Sequence, residues 1–496
     1  MAYCVSVDLA IIIIIVVICY VQWVYGYWDR RKVIFVKPTF PFGTLTKLFT
    51  KKWYIGDIYE ENYKYIRERG GRFGGVFIFT SPSLMITDTD LIKNVMTKNF
   101  HYFNDRGFYC NEKHDPLSAH LLNLVGDEWK SMRGKLTSAF TPAKIKMMFD
   151  TVLECSEQLL KALDDCAASE APFDLDEMMA CFTTDVIGSC AFGLECNSFK
   201  GTNCEFRQFG NDVMRPPMLK VLLLSLGEMN KKFANFMGIT RTTPKIRKFF
   251  IDIVSKTIEY REKNNIRRTD FLQILIDLKK EEDVHLSMNQ IAAQALLFFV
   301  AGFETSASTL TFCIYELAKN PHIQERLREE INAVLNEHDR ITYDTVVDMP
   351  YLTQVIEEDL RKYPPAGVVA RKCLKDYKVP GSNLLIKTGT KVLISIQGLH
   401  HDPEYFPDPE IYDPERFNEK NKKNMKPYTY LPFGEGPRNC IGAKFGTTQA
   451  KIGLVAMLRK FRFVLNAKTP KTLKPYYGTI SLTFPKTVWV EVQRIA

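Results

Sequence analysis

The pattern of hydrophobic and polar positions divides this 496-residue chain into an apolar N-terminal stretch and a long region of mostly helical pattern. Residues Leu9–Tyr27 are apolar almost throughout, broken mainly by Gln22 and Gly26. At about 1.5 Å per residue, a helix of this length just crosses the hydrocarbon core of a bilayer. The stretch is long for a cleavable signal, and no small-residue cleavage pattern follows it. It therefore predicts a membrane anchor in residues 1–28 rather than a buried core helix.

Charges around the apolar stretch indicate its orientation. Asp8 lies near its start, whereas the basic run 30–32 follows its end. Because basic flanks stay on the cytoplasmic side, we expect a lumenal N-terminus and a cytosolic bulk. Ala293–Phe303 is apolar but short and runs into Glu304, so we expect a single span. The apolar stretch Met218–Leu226 is a candidate for a second, peripheral contact with lipid.

Turn residues and periodicity predict the elements that follow. Residues 29–43 contain Pro38 and Pro41 and predict a hinge. Ser287 and Gln290 form a capping-box pattern at the start of the clearest helix. A β-like stretch is predicted at 75–86, short strands between 368 and 396, and coil at 402–440. Helices are predicted at 287–319, 351–363 and 441–459, and a further helix begins at 321. No linker interrupts residues 44–496, which predicts one large domain, mainly α with a small β region.

Composition narrows the functional classes. The formal net charge is +9, but the basic residues are scattered and no nucleic-acid-binding motif accompanies them, so we exclude nucleic acid as a partner. A basic surface suits an acidic protein partner or anionic lipid instead. The twelve cysteines contain no C-x-x-C pair and no zinc-type spacing. Most of them are expected to be small buried residues facing a reducing compartment.

The strongest candidate for chemistry is a cysteine in a glycine-rich loop directly before a predicted helix. The segment 433–442 reads Phe-Gly-Glu-Gly-Pro-Arg-Asn-Cys-Ile-Gly. Backbone N–H groups and a helix N-terminus near the Cys440 sulfur stabilise a thiolate. Gly436 and Gly442 permit close backbone approach. A lone cysteine near glycines is usually structural, but its combination with Phe433 and Arg438 is far more specific.

A second motif, residues 301–306, lies inside the long predicted helix. Glycine within a helix costs roughly 1 kcal/mol relative to alanine, so Gly302 calls for a reason. The Thr305 hydroxyl can donate to the Ala301 carbonyl one turn earlier, which loosens and bends a helix. The three residues share one face. By itself this face could be a helix-packing notch.

Two further pairs have the spacing of helical neighbours. Glu358 and Arg361 can form an i,i+3 ion pair, which alone would be a surface salt bridge of small energy. Trp129 and Arg133 lie four apart and present two donors suited to an anion. Without other motifs, the second pair fits an amphipathic helix with a buried tryptophan equally well.

Together these segments resemble the cytochrome P450 family of haem-thiolate monooxygenases, over nearly the whole chain including the anchor. The resemblance implies the cytochrome P450 fold and a bound haem b, with Cys440 as the axial ligand of the iron. It implies that Arg438, Arg371 and the pair Trp129 and Arg133 contact the haem propionates.

The same resemblance gives the other motifs a role. The face of Ala301, Gly302 and Thr305 becomes a groove for dioxygen, in which Thr305 orders a water. Glu304 supplies protons. Arg416 joins the Glu358–Arg361 pair to lock the coil around the cysteine, which is a structural role.

The stretch from Asn104–Gly107 through Asp115–Ser118 to Trp129 is similar to the insect xenobiotic-metabolising group. That similarity implies an endoplasmic-reticulum enzyme that oxidises lipophilic small molecules such as plant toxins or insecticides. Electrons would come from NADPH through NADPH–cytochrome P450 reductase, with cytochrome b5 as a further partner, and the chain has no G-x-G-x-x-G fingerprint of its own. Substrate contacts are expected in 101–125, 366–370 and 479–482 and at Phe103, Phe108, Leu121, Leu122, Phe298 and Val368.

Three other functions remain open at this point. A haem-thiolate isomerase or dehydratase needs no dioxygen, and the intact Thr305 and Glu304 argue against it. A monooxygenase of endogenous lipids or hormones would share every motif. A non-catalytic haem-binding membrane protein would form no product with reductase present.

Overall fold

The computed structural model describes residues 2–200, 205–280, 286–338, 340–471, 473, 475–477, 481–483 and 487–495. Within them the chain is mainly helical. The α-helices are α1 Ala2–Tyr25, α2 Thr46–Thr50, α3 Ile55–Arg67, α4 Thr89–Lys93, α5 Gly126–Thr137, α6 Pro142–Ser169, α7 Leu175–Ile187, α8 Glu205–Met214, α9 Met218–Met229, α10 Lys231–Phe236, α11 Pro244–Lys263, α12 Phe271–Lys280, α13 Met288–Lys319, α14 Pro321–His338, α15 Tyr343–Val347, α16 Pro350–Lys362, α17 Ile396–His400, α18 Glu419–Asn424 and α19 Ala443–Lys460.

The strands form three small sheets. They are β1 Phe73–Ile78, β2 Ser81–Ile86, β3 Phe173–Asp174, β4 Val368–Lys372, β5 Tyr377–Lys378, β6 Leu385–Ile386, β7 Lys391–Ser395, β8 Phe461–Leu465 and β9 Trp489–Arg494. The largest sheet has the order β1-β2-β7-β4, with β2 and β7 parallel and the other neighbours antiparallel. The others are β3-β9-β8 and the pair β5-β6. The predicted class, mainly α with a small β region, is confirmed.

Helix α13 organises the helical part. Its 32 residues make it about 48 Å long at 1.5 Å per residue. The predicted capping box is present: the Ser287 hydroxyl accepts from the Gln290 backbone N–H, and the Gln290 side chain accepts from the Ser287 backbone N–H. The helix packs against α7, α8, α11, α16 and α19, so it crosses the core. A side chain on α13 is therefore held between several helices.

Several sequence-based boundaries agree with the structure, and others do not. The stretch predicted as β-like at 75–86 is an antiparallel hairpin of β1 and β2. The segment 402–440, predicted as coil, contains α18 and a 3₁₀ turn at Pro414–Phe417. Strands β8 and β9 pair across more than twenty residues of sequence, and local pattern did not predict them.

The N-terminal helix α1 ends on the largest sheet. From Ile12 to Tyr20 its large apolar side chains are exposed, whereas Trp28, just beyond its end, is buried and donates from Nε1 to the Val76 carbonyl at 3.3 Å. A Cβ at Gly75 would lie 2.3 Å from the Trp28 ring, so only glycine allows this contact. Residues 29–43, predicted as a hinge, hydrogen-bond to Gly75 of β1 through Ile34 and Val36, and Gly43 forms a β-bridge with Ile78. They are packed on the folded domain.

Candidate functional site

A cavity of about 220 Å³ lies between the loop 433–442 and the middle of α13. Cys440 lines one side of it, and Ala301, Gly302 and Thr305 line it from α13. Most of the remaining lining is apolar. The lining also includes Arg106, Leu121, Leu122, Trp129, Arg133, Phe140, Cys190, Phe271, Phe298, Phe433 and Arg438. The structure therefore brings the cysteine loop and the 301–306 motif to one space.

The cysteine loop is a tight turn fixed by its own backbone. The Cys440 N–H donates to the Phe433 carbonyl at 2.8 Å, and the Asn439 N–H donates to the Gly436 carbonyl at 3.0 Å. Gly436 has φ +73°, and a Cβ there would lie 2.0 Å from the Met96 carbonyl oxygen, so this position requires glycine. A Cβ at Gly442 would lie 3.9 Å from Phe140, an ordinary contact. The expected close approach at Gly442 is therefore not toward protein atoms.

The thiol of Cys440 is open to the cavity and enclosed elsewhere. Burial raises the pKa of this thiol, and a backbone hydrogen bond from Gly442 together with the charges of Arg106 and Arg133 opposes that rise. Helix α19 begins at Ala443, so its N-terminus lies close to Cys440 in the sequence. The surroundings that the sequence predicts to stabilise a thiolate are present, but in the protein alone burial outweighs them. A cation bound to the sulfur would reverse the balance.

The 301–306 motif has two faces in the structure. The Thr305 hydroxyl donates to the Ala301 carbonyl at 2.5 Å, the bond that the spacing predicts. A Cβ at Gly302 would lie 2.3 Å from the Ile187 side chain on α7, so helix packing accounts for this glycine as well as the cavity does. Glu304 is 3% exposed and turns away from the cavity, where Arg215 Nη2 lies 3.1 Å from its Oε1.

In the described part of the chain, three neighbouring arginines form no ion pair with a carboxylate: Arg106 and Arg438 line the cavity, and Arg371, which is outside its lining, is close enough to feel their charges. Arg371 is 1% exposed, donates only to the Ala370 carbonyl, and its Nε has no partner among the described residues. Arg106 donates to the Arg438 carbonyl at 2.7 Å, and Arg438 donates to the Leu124 carbonyl at 2.7 Å. The Nε atoms of Arg106 and Arg438 are also buried and without partners in the described part of the chain.

The electrostatics of this arginine group call for an anion. Burial lowers the pKa of Arg106 to about 10 and that of Arg438 to about 9. Burial, then repulsion by these two, lowers the pKa of Arg371 well below its usual range. Buried charges of one sign are costly unless paired. An iron porphyrin with two carboxylates and a position for a thiolate ligand fits the arginines, the cavity and Cys440 together.

Trp129 and Arg133 both line the cavity, each with its own contact. The Arg438 guanidinium lies 4.2 Å from the Trp129 ring centroid. Arg133 donates to the carbonyl and to Oδ1 of Asn439, at 3.0 and 2.8 Å, next to the cysteine. In this structure Arg133 therefore contacts the cysteine loop, while both side chains remain within reach of a ligand in the cavity.

The pair Glu358 and Arg361 is fully buried, which removes the alternative of a surface salt bridge. Arg361 donates from Nε and Nη2 to the two carboxylate oxygens at 2.7 and 2.8 Å. Arg416 Nε lies 3.5 Å from Glu358 Oε1, and the Asp413 N–H donates to the same oxygen at 2.9 Å. Arg361 also donates to the carbonyls of His400, Pro409 and Ile411. The network ties α16 to the chain on either side of residue 410.

The predicted substrate residues separate into two groups. Leu121, Leu122 and Phe298 line the cavity, and Phe298 stacks on Phe140 at 5.0 Å between ring centroids. Phe103, predicted as a substrate contact, is fully buried in the core of the largest sheet, with its ring 5.0 Å from Tyr377.

That location of Phe103 contradicts the expected cavity contact, because its side chain packs in the core and does not face the cavity. Phe108 and Val368 are half-buried and lie outside the lining of this cavity. Of the stretch 479–482, Thr479 and Ile480 lie outside the described residues.

Comparison with known proteins decides the family. A family model described as cytochrome P450 matches residues 38–488. The chain belongs to the cytochrome P450 family. Probable cytochrome P450 6a13 of Drosophila melanogaster is 44% identical over 458 residues, which cover 91% of each chain. Probable cytochrome P450 6a14 of the same species is 41% identical over 490 residues, covering 95% of this chain and 96% of that one. Cytochrome P450 6A1 of Musca domestica is 38% identical over 486 residues, covering 96% of this chain and 95% of that one.

Family membership settles the reaction class. This cytochrome P450 is a haem-thiolate monooxygenase, an oxidoreductase, as the sequence motifs predict. Its resemblance to the insect group is likewise confirmed by the relatives.

Sequence reasoning missed one residue of the arginine group. Arg106 belongs to the segment that carries the similarity to the insect group, yet no role was predicted for it. It lies in a loop without periodicity, so nothing local indicates that it faces the same cavity as Arg438, 332 residues later. The aromatic residues Phe140 and Phe271 were also missed, because nothing in their own segments indicates that they face this cavity.

Substituting Arg361 in this cytochrome P450 should strongly destabilise it. Arg361→Ala would leave the Glu358 carboxylate fully buried without its main partner, and burial already raises the pKa of Glu358. Losing one partner of a buried ion pair typically costs about 3–5 kcal/mol. We expect a large drop in the free energy of unfolding in denaturant titrations and poor haem incorporation. Lys423→Ala, which breaks an exposed ion pair with Glu419, is the control and should change the free energy of unfolding only slightly. A stable, haem-replete Arg361→Ala protein would contradict the structural role.

Proposed function

We propose that this monooxygenase inserts one oxygen atom from dioxygen into lipophilic small molecules, with xenobiotics such as plant toxins or insecticides as the substrate class. The observation that carries the proposal is the meeting of Cys440 and the Thr305 face of α13 across one cavity. Apolar lining favours lipophilic ligands and limits bulk water. The similarity to insect cytochromes P450 supports the xenobiotic class.

We assign haem b as the cofactor and Cys440 as its iron ligand. Arg438 and Arg371, with Trp129 and Arg133, would bind the propionates, because buried cations gain most from an anionic partner. When bound, the haem supplies dioxygen activation, and a thiolate ligand favours O–O cleavage by donating electron density. Phe433, Gly436 and Gly442 would shape the loop around the sulfur.

Residues of α13 would manage water and protons. The reaction RH + O₂ + 2e⁻ + 2H⁺ → ROH + H₂O consumes two protons for each dioxygen. Thr305 presents a hydroxyl in the cavity that can hold an ordered water, and Ala301 and Gly302 add no bulk beside it. Glu304 would supply protons from the other face of the helix. The Glu358–Arg361 pair with Arg416 would hold the surrounding coil and take no part in the chemistry.

Electrons would come from NADPH through NADPH–cytochrome P450 reductase, with cytochrome b5 as a second donor. The sequence lacks a dinucleotide-binding fingerprint, which agrees with an external reductase. A net charge of +9 suits an acidic protein partner.

The proposed location is the endoplasmic-reticulum membrane, with a lumenal N-terminus, a single span and a cytosolic catalytic domain. Residues Ile12–Arg31 are apolar enough to span a bilayer and only 11% of that window is buried. Met288–Lys319 passes the same test of length and composition, but 67% of its window is buried and it is the core helix α13. We assign 1–28 to the anchor, 29–43 to the connection and 44–496 to the catalytic domain.

A second contact with lipid is proposed on α9 and α10, an extension of the predicted stretch Met218–Leu226. Leu219 is 68% exposed and Phe236 is 87% exposed, and Phe233 and Met237 lie between or beside them. Large apolar side chains this exposed are typical of a membrane-contacting surface.

Removing the anchor should weaken but not abolish membrane attachment. Deletion of residues 2–22 leaves Val24 and Trp28 on the sheet, so the domain should fold and keep its haem. We expect partial release from microsomes, and full release when Leu219→Ser and Phe236→Ser are added. Sedimentation in high salt measures the bound fraction. If the truncated protein with both serines still sediments completely, the lipid contacts lie elsewhere.

The test of the proposed function is isotope incorporation. The purified holoenzyme with reductase, NADPH and labelled dioxygen should form a product that carries one labelled atom. Candidate substrates come from a binding screen that follows the shift of the Soret band. Conversion without NADPH and without label would favour an isomerase or dehydratase instead. Selective binding of endogenous lipids or hormones over plant toxins and insecticides would reject the xenobiotic class.

A further inference from the structure

A second cavity lies on the far side of α13 from the cysteine. Its volume is about 370 Å³, and its walls come from α7, α8 and α13, together with Asp174 just before α7 and Arg215 just after α8. Glu304 lines it, whereas Thr305, the next residue, lines the first cavity. Successive residues of a helix point about 100° apart, so α13 is a shared wall with one functional side chain on each side. The Glu304 carboxyl therefore meets this second cavity first.

The second cavity is polar and carries an excess of acid groups. Four carboxyl groups, Asp174, Asp176, Glu177 and Glu304, line it with two guanidinium groups, Arg207 and Arg215. An excess of carboxylates in a confined space attracts protons and repels anions. A cavity of this size has room for several water molecules. The charge balance thus favours proton uptake over binding of an anionic ligand.

Asp176 differs from the other acids of this cavity. Asp174 accepts from the backbone N–H of Asp176 at 3.1 Å and caps α7, and Glu177 forms an ion pair with Arg207. Glu304 is paired with Arg215. Within the described residues, the Asp176 carboxyl has neither an ion pair nor a hydrogen bond, and it is partly open to the cavity. It is the acid of the cluster that is left to exchange a proton.

The charges that face Asp176 come from all three helices around it. Burial, then the charges of Glu304 and Asp174, raise the pKa of Asp176, whereas Arg215 and Arg207 lower it, and the net result is a pKa of about 7. A carboxyl of this kind is protonated below neutral pH and ionised above it. It can therefore both take up and release a proton under cytosolic conditions.

We propose that the second cavity is the proton entry of this enzyme, in which Asp176 takes up protons from cavity water and passes them to Glu304. The inference rests on the proposed function, because the two protons consumed with each dioxygen must reach the Thr305 side of α13. Asp176 is not part of the lining of the first cavity, so it is a positioning residue that acts through Glu304. Each transfer moves one proton from carboxyl to carboxylate through water, and Asp176 is reprotonated from the cavity.

Coupling measurements test this route. Asp176→Asn should lower product formed per NADPH consumed by on the order of tenfold, less than the about 10²–10⁴-fold of a group that transfers the proton directly. The missing reducing equivalents should appear as hydrogen peroxide or water. Asp176→Glu should restore coupling. Turnover driven by added hydrogen peroxide, which brings its own protons, should be unaffected.

Two variants separate proton transfer from loss of charge. Glu177→Gln removes a carboxylate from the same cavity wall and should lower coupling much less. Asp212→Asn, on the exposed side of α8, should leave it unchanged. Adding Asp176→Asn to Glu304→Gln should cause no further loss, because both act on one route. Equal losses for Glu177→Gln and Asp176→Asn, or full additivity with Glu304→Gln, would overturn the proposal.

An infrared titration of the holoenzyme provides a readout independent of turnover. The spectrum of the unaltered protein minus that of Asp176→Asn should show a protonated carboxyl band that disappears at a pH of about 7. The absence of such a band would overturn the inference. If the unaltered enzyme forms no labelled product, the proposed function fails instead, and the titration still decides whether Asp176 takes up the proton. The ferrous–CO band of each variant confirms that it has folded with haem.

Discussion

Cys440→Ser should abolish the far-red-shifted Soret band of the ferrous–CO complex and, with it, product formation. That band reports a thiolate on the iron, and a serine hydroxyl neither ionises as readily nor donates electron density as sulfur does. The Cys440 thiol is itself hard to ionise in the protein alone, because burial raises its pKa. A thiolate at Cys440 would therefore depend on the bound metal, and oxygen in place of sulfur would remove the stronger bond. We expect weakened haem retention and no detectable coupled turnover.

A second cysteine supplies a matched control for this experiment. Cys190 lines the same cavity and is buried, and burial raises the pKa of its thiol well above the usual range. It lies in the π turn at Gly188–Phe192, without the glycine loop and helix N-terminus that surround Cys440. Cys190→Ser should therefore keep the shifted band. Retention of the band by Cys440→Ser, or its loss in Cys190→Ser, would contradict the ligand assignment.

Interactions between residues three or four apart were predictable from the sequence. The capping box of α13, the ion pair of Glu358 with Arg361 and the hydroxyl bond of Thr305 to Ala301 all form as their spacing predicts. Helical geometry alone brings such residues together, so no knowledge of the fold is required. The burial of the Glu358–Arg361 pair could not be predicted this way, because it depends on segments near residue 410.

Contacts between distant segments were the ones that sequence reasoning missed. Arg106 meets Arg438 only because the fold brings two loops to one cavity. Phe103 is apolar and lies in the segment where substrate contacts were expected, yet its side chain packs against Tyr377 in the core. The second cavity joins α7, α8 and α13, so Asp176 carried no signal in its own neighbourhood. Residue type and local spacing identify the chemistry of single elements, while the assembly of elements decides which groups share a space.

The role of Thr305 is the more demanding test, because a packing residue and a proton-handling residue look alike in a static structure. Its hydroxyl donates to the Ala301 carbonyl at 2.5 Å, which leaves the oxygen free to accept from a water in the cavity. Alanine keeps the helix but cannot hold that water. Thr305→Ala should therefore bind haem, CO and substrate as the unaltered enzyme does, since none of these needs the hydroxyl.

What Thr305→Ala should lose is the coupling of electrons to product. Two electrons and two protons convert dioxygen and RH into ROH and water, but the same electrons and protons reduce dioxygen alone to hydrogen peroxide. Without an ordered water beside residue 305, protons arrive in the wrong place, so NADPH consumption should persist while peroxide rises. Positioned proton transfer is usually worth about 10²–10⁴-fold, so a large fall in product per NADPH is expected.

Two variants decide between the roles of Thr305. Thr305→Ser keeps the hydroxyl and should retain most of the coupling. Thr309→Ala removes the same kind of bond one turn later, where the hydroxyl donates to the Thr305 carbonyl at 3.0 Å and lies outside the first cavity, and it should leave coupling intact. Product, NADPH and peroxide are assayed together for each protein. If Thr305→Ala forms as much product per NADPH as Thr309→Ala, then Thr305 serves only the packing of α13, because a hydroxyl needed for proton positioning cannot be removed without uncoupling.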